Sequence, residues 1–548
     1  MPRKENNLRA IHNTPAVETQ RVSSYSLRKQ LFISTLAALG AGLTASLTSV
    51  AFMMILRAAG GVPTPIELFG DHVLKLLPAA KFVDLLIHFG PNSKTAPLGL
   101  ALLGMIGLGT LLGVLYAAIV HVKLPRTGNR PPLRAWLTAG AFALGMTVVG
   151  EVLLWAEMGQ NFFGLPIEWA TLTTSLSFLA SFSLYAVTLC LSYYVLLPKQ
   201  QVDGISAKTN NRRQLLARAS VAALGVGAAG GTVGLIKGLL NNYTTYDGMQ
   251  AFVFRSDGVT APITPNKDHY VVTENVVDPT PNLAVWRLEV TGLVAHAGTY
   301  TYEEVQHLPS TSRAVTLECI ANGIGGHLIS TAIWQGVTLR ALLEKHGGAL
   351  PGASYVAFYS VDGYTISLPL NEVLEADALL AWRMNGAELP MRHGYPLRAL
   401  VPGRFGEENP KWLTRVELTD HFVGGLYADQ GWYNGPLHTI TRIDRPRGQI
   451  AFNRSIEVGG IAFAGNRGIE KVEVSVDGGA TWNTANLEPP LSQDSWVLWT
   501  WQWNPLLPGK YTIVARATDG TGQLQTDRKQ GTVPNGATGY HTMDVQVR

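Results

Sequence analysis

The chain of 548 residues exceeds what one hydrophobic core supports and predicts about three or four units. Charged residues make up only 15% and the mean hydropathy is positive, which excludes a uniformly soluble chain and points to membrane segments in part of it. A formal charge of +4, with no basic stretch interleaved with aromatics, excludes a nucleic-acid footprint, and two cysteines placed far apart exclude a disulfide framework.

Residues 1–30 form a polar, basic tail bearing Arg3, Lys4, Arg9, Arg21, Arg28 and Lys29. Residues 31–198 then hold four predicted transmembrane helices, at 31–56, 96–122, 135–156 and 170–197; at about 1.5 Å per residue each is long enough to cross a hydrocarbon core of about 30 Å. Residues 66–89 mix Leu68, Leu74, Phe82 and Phe89 with Asp71, Lys75, Lys81 and Asp84, the pattern of an amphipathic helix lying at the interface. A fifth, weakly apolar helix at 219–236 follows Arg212 and Arg213. The segment 211–240 resembles a twin-arginine signal anchor, and the same arginines would also suit the basic flank of an ordinary helix.

Loop charges give the orientation. The tail, the 123–134 loop (Lys123, Arg126, Arg130, Arg134) and the stretch with Lys199, Lys208, Arg212, Arg213 and Arg218 are basic, whereas 157–168 has no lysine or arginine. Lys75, Lys81 and Lys94 run the other way. The balance predicts a multi-pass protein of the cytoplasmic membrane, with its amino terminus inside, five crossings and an extracytoplasmic carboxy-terminal half. His121, at the inner end of a span, is the only histidine in one, so no haem is expected. Glu151 is the one ionisable residue well within a span.

Residues 250–438 read as an α+β domain: a strand at 286–290, a short helix at 302–307, an amphipathic run at 339–346, and strands at 355–360 and 364–368 about the Asp362-Gly363 turn. Residues 439–548 alternate apolar and polar positions around Asp477-Gly478-Gly479 and Asp519-Gly520, the signature of an immunoglobulin-like β-sandwich.

Two segments carry chemistry. Residues 316–330, TLECIANGIGGHLIS, hold Cys319 among glycines, with Asn322 and His327 nearby. That thiol is either an inert buried sulfur or a reactive or metal-binding thiolate. Residues 393–412 are punctuated by glycine and proline and bear His393, Arg398, Arg404 and Lys411, donors suited to an anionic, phosphorylated ligand. One thiolate without His or Cys neighbours cannot build a zinc site, so a metal there would arrive already held by a cofactor.

TLECIAN, LLAWRMNGAELPMRHGYPLRALVPGRFGEENPKWLTRVEL and VEVSVDGGATW together resemble the sulfite oxidase family of molybdopterin-dependent oxidoreductases, over roughly the last half of the chain. The resemblance implies a molybdenum–molybdopterin cofactor with Cys319 as the thiolate ligand of the metal. It implies Asn275, Asn322, His393, Arg398 and Lys411 as cofactor-binding residues. Tyr433, beside Trp432, falls near the family's active-site tyrosine, and the terminal sandwich resembles its dimerisation domain. Sulfite oxidases carry arginines shortly after the cysteine, where Gly323 and Ile324 stand here, and Thr273 or Glu274 falls near the place of another family arginine. Arg404 or His327 would have to supply the missing cation.

The expected function is oxygen-atom transfer to or from a small-molecule substrate, with two electrons exchanged with a cytochrome or quinone-linked carrier. The bilayer and a second copy of the chain are the other expected partners, and nucleic acid is not one. Reduction of sulfoxides, such as oxidised methionine, is an alternative; a non-catalytic surface binding protein is another.

Overall fold

The computed structural model describes residues 25–78, 81, 95–126, 128, 130–200, 207–240, 253–273, 275 and 277–548. The amino-terminal half is helical: α1 (Leu27–Gly60), α2 (Pro65–Leu76), α3 (Thr95–Val120), α4 (Leu133–Leu154), α5 (Ile167–Leu196) and α6 (Ala207–Leu240). All but α2 are long and apolar enough to cross a membrane, and each overlaps the stretch expected from hydropathy.

α1 packs against α3, α5 and α6. Small residues allow the close approach: a Cβ on Gly42 would lie 2.7 Å from the Thr110 carbonyl oxygen, and one on Gly113 would lie 2.6 Å from that of Ala38. Apolar side chains gain little from burial against other helices when lipid is the alternative, so such backbone proximity is what holds a bundle of this kind together.

α2 departs from expectation. It opens on a Thr64–Glu67 capping box with Pro65 in the first turn, and it ends at Leu76 because Pro78 biases Leu77 out of the helical region. Residues 79–80 and 82–94 of the expected helix lie outside the described ones. Leu68 is fully buried with Leu154, Met158 and Phe178, so this part of α2 packs on the helical bundle, while Phe69 and Leu76 remain exposed.

The next domain contains two sheets. Its strands are β1 (Leu288–Gly292), β2 (Gly298–Tyr300), β3 (Thr311–Glu318), β4 (Ile329–Thr338), β5 (Tyr355–Ser360), β6 (Thr365–Pro369), β7 (Leu379–Met384), β8 (Ala387–Glu388), β9 (Arg398–Leu400) and β10 (Leu413–Thr419). One sheet runs β2-β1-β10-β5-β6, with β1 and β10 parallel, and the other runs β3-β4-β7-β8 with β9 paired to β7. The strand expected at 286–290 begins two residues later, because Trp286 serves as a fully buried pillar whose indole Nε1 donates to the Leu413 carbonyl at 3.1 Å.

The last domain is made of β11 (Ile440–Arg445), β12 (Ile456–Phe463), β13 (Ile469–Ser475), β14 (Asn483–Thr484), β15 (Asn486–Leu487), β16 (Val497–Trp503), β17 (Gly509–Asp519) and β18 (His541–Val547). Antiparallel sheets β11-β12-β16-β15 and β14-β13-β17-β18 share one core that includes Ile443, Val458, Val474, Trp499 and Ile513. The carboxylate of Asp477 collects the amides of Ala480 and Thr481 and the Thr481 hydroxyl, which fixes the turn after β13.

The helical region and the strand-rich half touch directly. The Thr280 amide donates to the Phe162 carbonyl at 3.1 Å, Asn282 to that of Phe163 at 2.8 Å, and the Gln430 side chain to the Leu74 carbonyl at 2.6 Å.

Candidate active site

Cys319 sits where β3 ends, at the mouth of the β3–β4 hairpin, and is only 7% exposed. Its amide donates to the Leu328 carbonyl at 2.9 Å, closing the base of a loop that spans 320–327. Asn322 braces that loop from within: its Oδ1 accepts the Leu328 amide at 2.9 Å and its Nδ2 donates to Glu318 Oε1 at 2.9 Å. The last domain grips the tip. Arg442 donates to the Gly326 carbonyl at 2.9 Å, and a Cβ on Gly325, at φ +77°, would stand 2.4 Å from His541 Nε2. His327 lies half-buried on the same loop.

Above Cys319 stands Tyr270, a buried residue that sequence reasoning missed. A Cβ on Gly406 would lie 2.6 Å from the Tyr270 hydroxyl and 3.6 Å from Cys319 Cα, so glycine is what lets the 402–409 loop close over both. Burial first, and then the charge of Cys319, push the Tyr270 phenol well above its usual value. Three carboxyls adjoin this spot. Burial lifts Glu318 and Glu408 each to about 8, and lifts Glu407 well above the usual carboxylate range. Held protonated near neutral pH, such groups are proton donors in an otherwise apolar setting.

The segment 391–412 brings His393, Arg398 and Lys411 together. Gly394, at φ +111°, makes this possible: a Cβ there would sit 3.0 Å from both Arg398 Cβ and Lys411 Cα. Arg398 is buried over the Trp334 ring and donates to the His393 and Asn409 carbonyls, each at 3.0 Å. Burial lowers it to about 10, so it stays charged, and its Nε has no hydrogen-bond partner among the described residues. His393 Nε2 pairs with the Asn266 carbonyl at 2.9 Å and therefore carries the proton; burial holds the ring neutral by taking its pKa down to about 4. The ring of His269 meets it edge-on at 5.1 Å, and His269 Nε2 is a second buried nitrogen without a partner among the described residues. Lys411 donates to the Val272 carbonyl at 3.0 Å and lies over the Trp412 ring. Asn275 donates to the buried Asp362 at 2.6 Å, and burial pushes the Asp362 carboxyl up while Asn275 and Lys411 oppose the shift. Thr273 neighbours Asn275, and Glu274 lies outside the described residues.

Arg404 and Tyr433 form a neighbouring group. Arg404 is 7% exposed and pairs with Glu408 at 3.2 Å, with Asn434 at 3.3 Å and with Glu372. Tyr433 stacks on His438 and donates its hydroxyl to the Pro436 carbonyl at 3.1 Å. Ile320, Phe405, Trp432 and Tyr433 share one apolar cluster, which joins this group to the loop of Cys319. The guanidinium of Arg404 thus already faces Glu372, which balances its charge, with Glu408 and Asn434 on its other amino group.

Among the described residues no three His, Cys, Asp or Glu side chains are grouped to hold a bare metal ion. The oxidoreductase molybdopterin binding domain family matches residues 275–427, and the Mo-co oxidoreductase dimerisation domain family matches 439–547. Residues 275–547 are a molybdopterin-dependent oxidoreductase of the sulfite oxidase family. This sulfite oxidase-type half is 30% identical to mitochondrial sulfite oxidase of Mus musculus over 342 residues, 52% of this chain and 62% of that one. It is 28% identical to nitrate reductase [NADH] 1 of Phaseolus vulgaris over 333 residues, 48% of this chain and 38% of the relative. The chain thus spans well under two thirds of the length of such nitrate reductases. Among solved structures, the sulfane dehydrogenase SoxCD of Paracoccus pantotrophus matches with a TM-score of 0.47 and 23% identity, covering 53% of this chain and 82% of that one.

The residues present fit the molybdenum cofactor of that family. A single soft thiolate suits a metal whose other ligands come with a pterin. The unpartnered Nε of Arg398 is a donor buried beside it, a group whose desolvation would otherwise cost free energy; His269 Nδ1 donates to the Tyr270 carbonyl at 3.2 Å, which leaves its unpartnered Nε2 as an acceptor.

Proposed function

We propose that the protein is a membrane-anchored, extracytoplasmic molybdenum enzyme that transfers an oxygen atom and exchanges two electrons with a membrane or periplasmic carrier. The observation that carries this reading is the buried Cys319 thiol, fixed at a hairpin mouth with no cluster of metal-ligating side chains among the described residues. When bound, the cofactor supplies the two-electron oxygen-transfer chemistry. Cys319 would ligate the metal; His393, Arg398 and Lys411 would hold the pterin and its phosphate, and Asn275 would complete that wall. Asn322 would serve by holding the loop of Cys319 in place. Tyr433 and Arg404 would line the substrate side. The carboxy-terminal domain, an immunoglobulin-like sandwich in this reading, supports a homodimer.

The charge balance of Arg404 favours a neutral substrate over sulfite or nitrate. Desolvating an anion needs a guanidinium to spare, and Gly323 and Ile324 provide none. A sulfoxide fits. It takes up two protons and two electrons, its sulfur–oxygen bond breaks, and a thioether and one water leave; protonated Glu407, within electrostatic reach of Tyr270 as Cys319 is, would feed protons inward. With a reduced viologen dye as electron donor, methionine sulfoxide is expected to turn over. With ferricyanide as acceptor, sulfite oxidation is expected to run at least about tenfold slower in kcat/KM, the equivalent of one weakened charge-assisted contact. A preference for sulfite would overturn the neutral-substrate reading.

The proposed topology has its own test. Changing Arg212 and Arg213 together to Lys is expected to keep the catalytic half inside the cell, read by protease protection in spheroplasts. Unchanged accessibility would remove the twin-arginine assignment and leave those residues as a helix flank.

A further inference from the structure

The turn between β5 and β6 touches both halves of the protein. On one side, the Val361 amide donates to the Trp412 carbonyl at 2.9 Å, beside Lys411. On the other, the Val361 carbonyl accepts the amide of Asn161, from the loop after α4, at 3.1 Å. Asp362 comes next. It is 4% exposed, takes the Asn275 side chain on Oδ2 at 2.6 Å and the Tyr364 amide on Oδ1 at 3.3 Å, and lies within electrostatic reach of the Lys411 ammonium. Gly363, at φ +82°, rests on Gln160: a Cβ there would stand 2.5 Å from Gln160 Cγ. The Tyr364 hydroxyl then donates to the Glu407 carbonyl at 2.6 Å. Four successive residues therefore hold Lys411, Asn275 and the 402–409 loop, and are themselves clasped by the helical region.

That clasp is built rather than incidental. Gln160 is 3% exposed, and its Nε2 donates to Asp71 Oδ2, on α2, at 2.9 Å. Asp71, Lys75, Gln160, Asp362 and Tyr364 line one small cavity between the two regions. Lys75 in turn reaches the buried Glu157 at 3.5 Å, so the charges on the helical side are themselves braced.

We propose that Asp362 is a positioning residue of the cofactor pocket, and that the amino-terminal region, through Asn161, Gln160 and Asp71, completes its setting. The helical region is then part of the active-site scaffold as well as an anchor. This rests on the reading of Lys411 and Asn275 as cofactor residues.

The test uses the full-length protein in detergent, loaded with cofactor, and reads the rate at which pterin fluorescence and molybdenum leave the protein, together with kcat and KM. Asp362→Asn keeps the shape and removes the charge that Lys411 faces. It is expected to speed pterin release by about 10-fold to 100-fold, the usual effect of losing a partner that orients a ligand. Gln160→Ala lies outside the catalytic half and removes the side chain on which Gly363 rests, with its bond to Asp71; it is expected to speed release about fivefold, the effect of one neutral hydrogen bond, with kcat lowered more than KM is raised. Lys411→Ala is the reference. If Lys411→Ala releases pterin faster while Asp362→Asn and Gln160→Ala match the wild type, the inference is overturned and the cofactor reading stands. If Lys411→Ala itself holds pterin like the wild type, the cofactor reading fails, and this inference with it.

Discussion

Cys319→Ser is expected to leave a folded protein with no measurable turnover and little molybdenum. The substitution is nearly isosteric at a position only 7% exposed, and its amide bond to Leu328 does not involve the side chain. Stability should therefore change by no more than about 1 kcal/mol. The chemistry changes far more. A serine hydroxyl stays protonated at neutral pH and is a hard donor, whereas the thiolate is the soft ligand that the metal prefers. Outer partners of a metal site cost about 10-fold to 100-fold when removed, and a direct ligand costs at least the upper figure. Elemental analysis alongside pterin fluorescence separates the effects, since His393, Arg398 and Lys411 remain to hold the pterin. Turnover within about threefold of the wild type would show that Cys319 is the inert buried sulfur it could have been on sequence grounds alone.

Arg398→Met should be the most damaging change in the pocket that does not touch the metal ligand. The Met side chain fills much of the same volume over Trp334, but the carbonyls of His393 and Asn409 lose their donors. Each buried carbonyl left unpaired costs about 1–3 kcal/mol, so the sum is about 2–6 kcal/mol. The midpoint of thermal unfolding, followed by tryptophan fluorescence, should fall accordingly, and purified protein should contain little pterin. Arg398→Lys should recover only part of the loss, because one ammonium on a flexible stem does not span two carbonyls as the planar fork does. A Met variant as stable and as fully loaded as the wild type would show that the guanidinium carries neither role.

The parts that were legible in the sequence share a reason. Helices α1, α3, α4, α5 and α6 follow from composition, because a long uncharged run has few alternatives to a helix. That His393, Arg398 and Lys411 come together was legible because they fall within 19 residues of one another and the glycines between them advertise close approach. The pieces missed come from elsewhere. Tyr270 and His269 reach the site from a segment far upstream, and Trp334 comes from the opposite strand of the cysteine hairpin. A His-Tyr pair ahead of an apolar run was the one signal they gave. Glu407 was read as part of a loop, and only its burial marks it as unusual. The partner of Arg404 was hidden for the converse reason: Glu372 lies 32 residues earlier in the chain, and no local pattern announces that the two will meet. The charge pattern of α2 continues past Pro78, whereas the helix itself stops at Leu76; most of the expected remainder lies outside the described residues.

The bonds from Asn161 to Val361 and from Thr280 to Phe162 also impose an order of events. In the proposed topology the loop after α4 is outside the cell from the moment the bundle inserts, while the catalytic half is loaded with cofactor in the cytoplasm and crosses afterwards. The pocket therefore accepts its cofactor before the brace on the Val361–Tyr364 turn can form. In that topology translocation would then close it, so that the crossing that delivers the catalytic half would also brace the pocket around its cofactor.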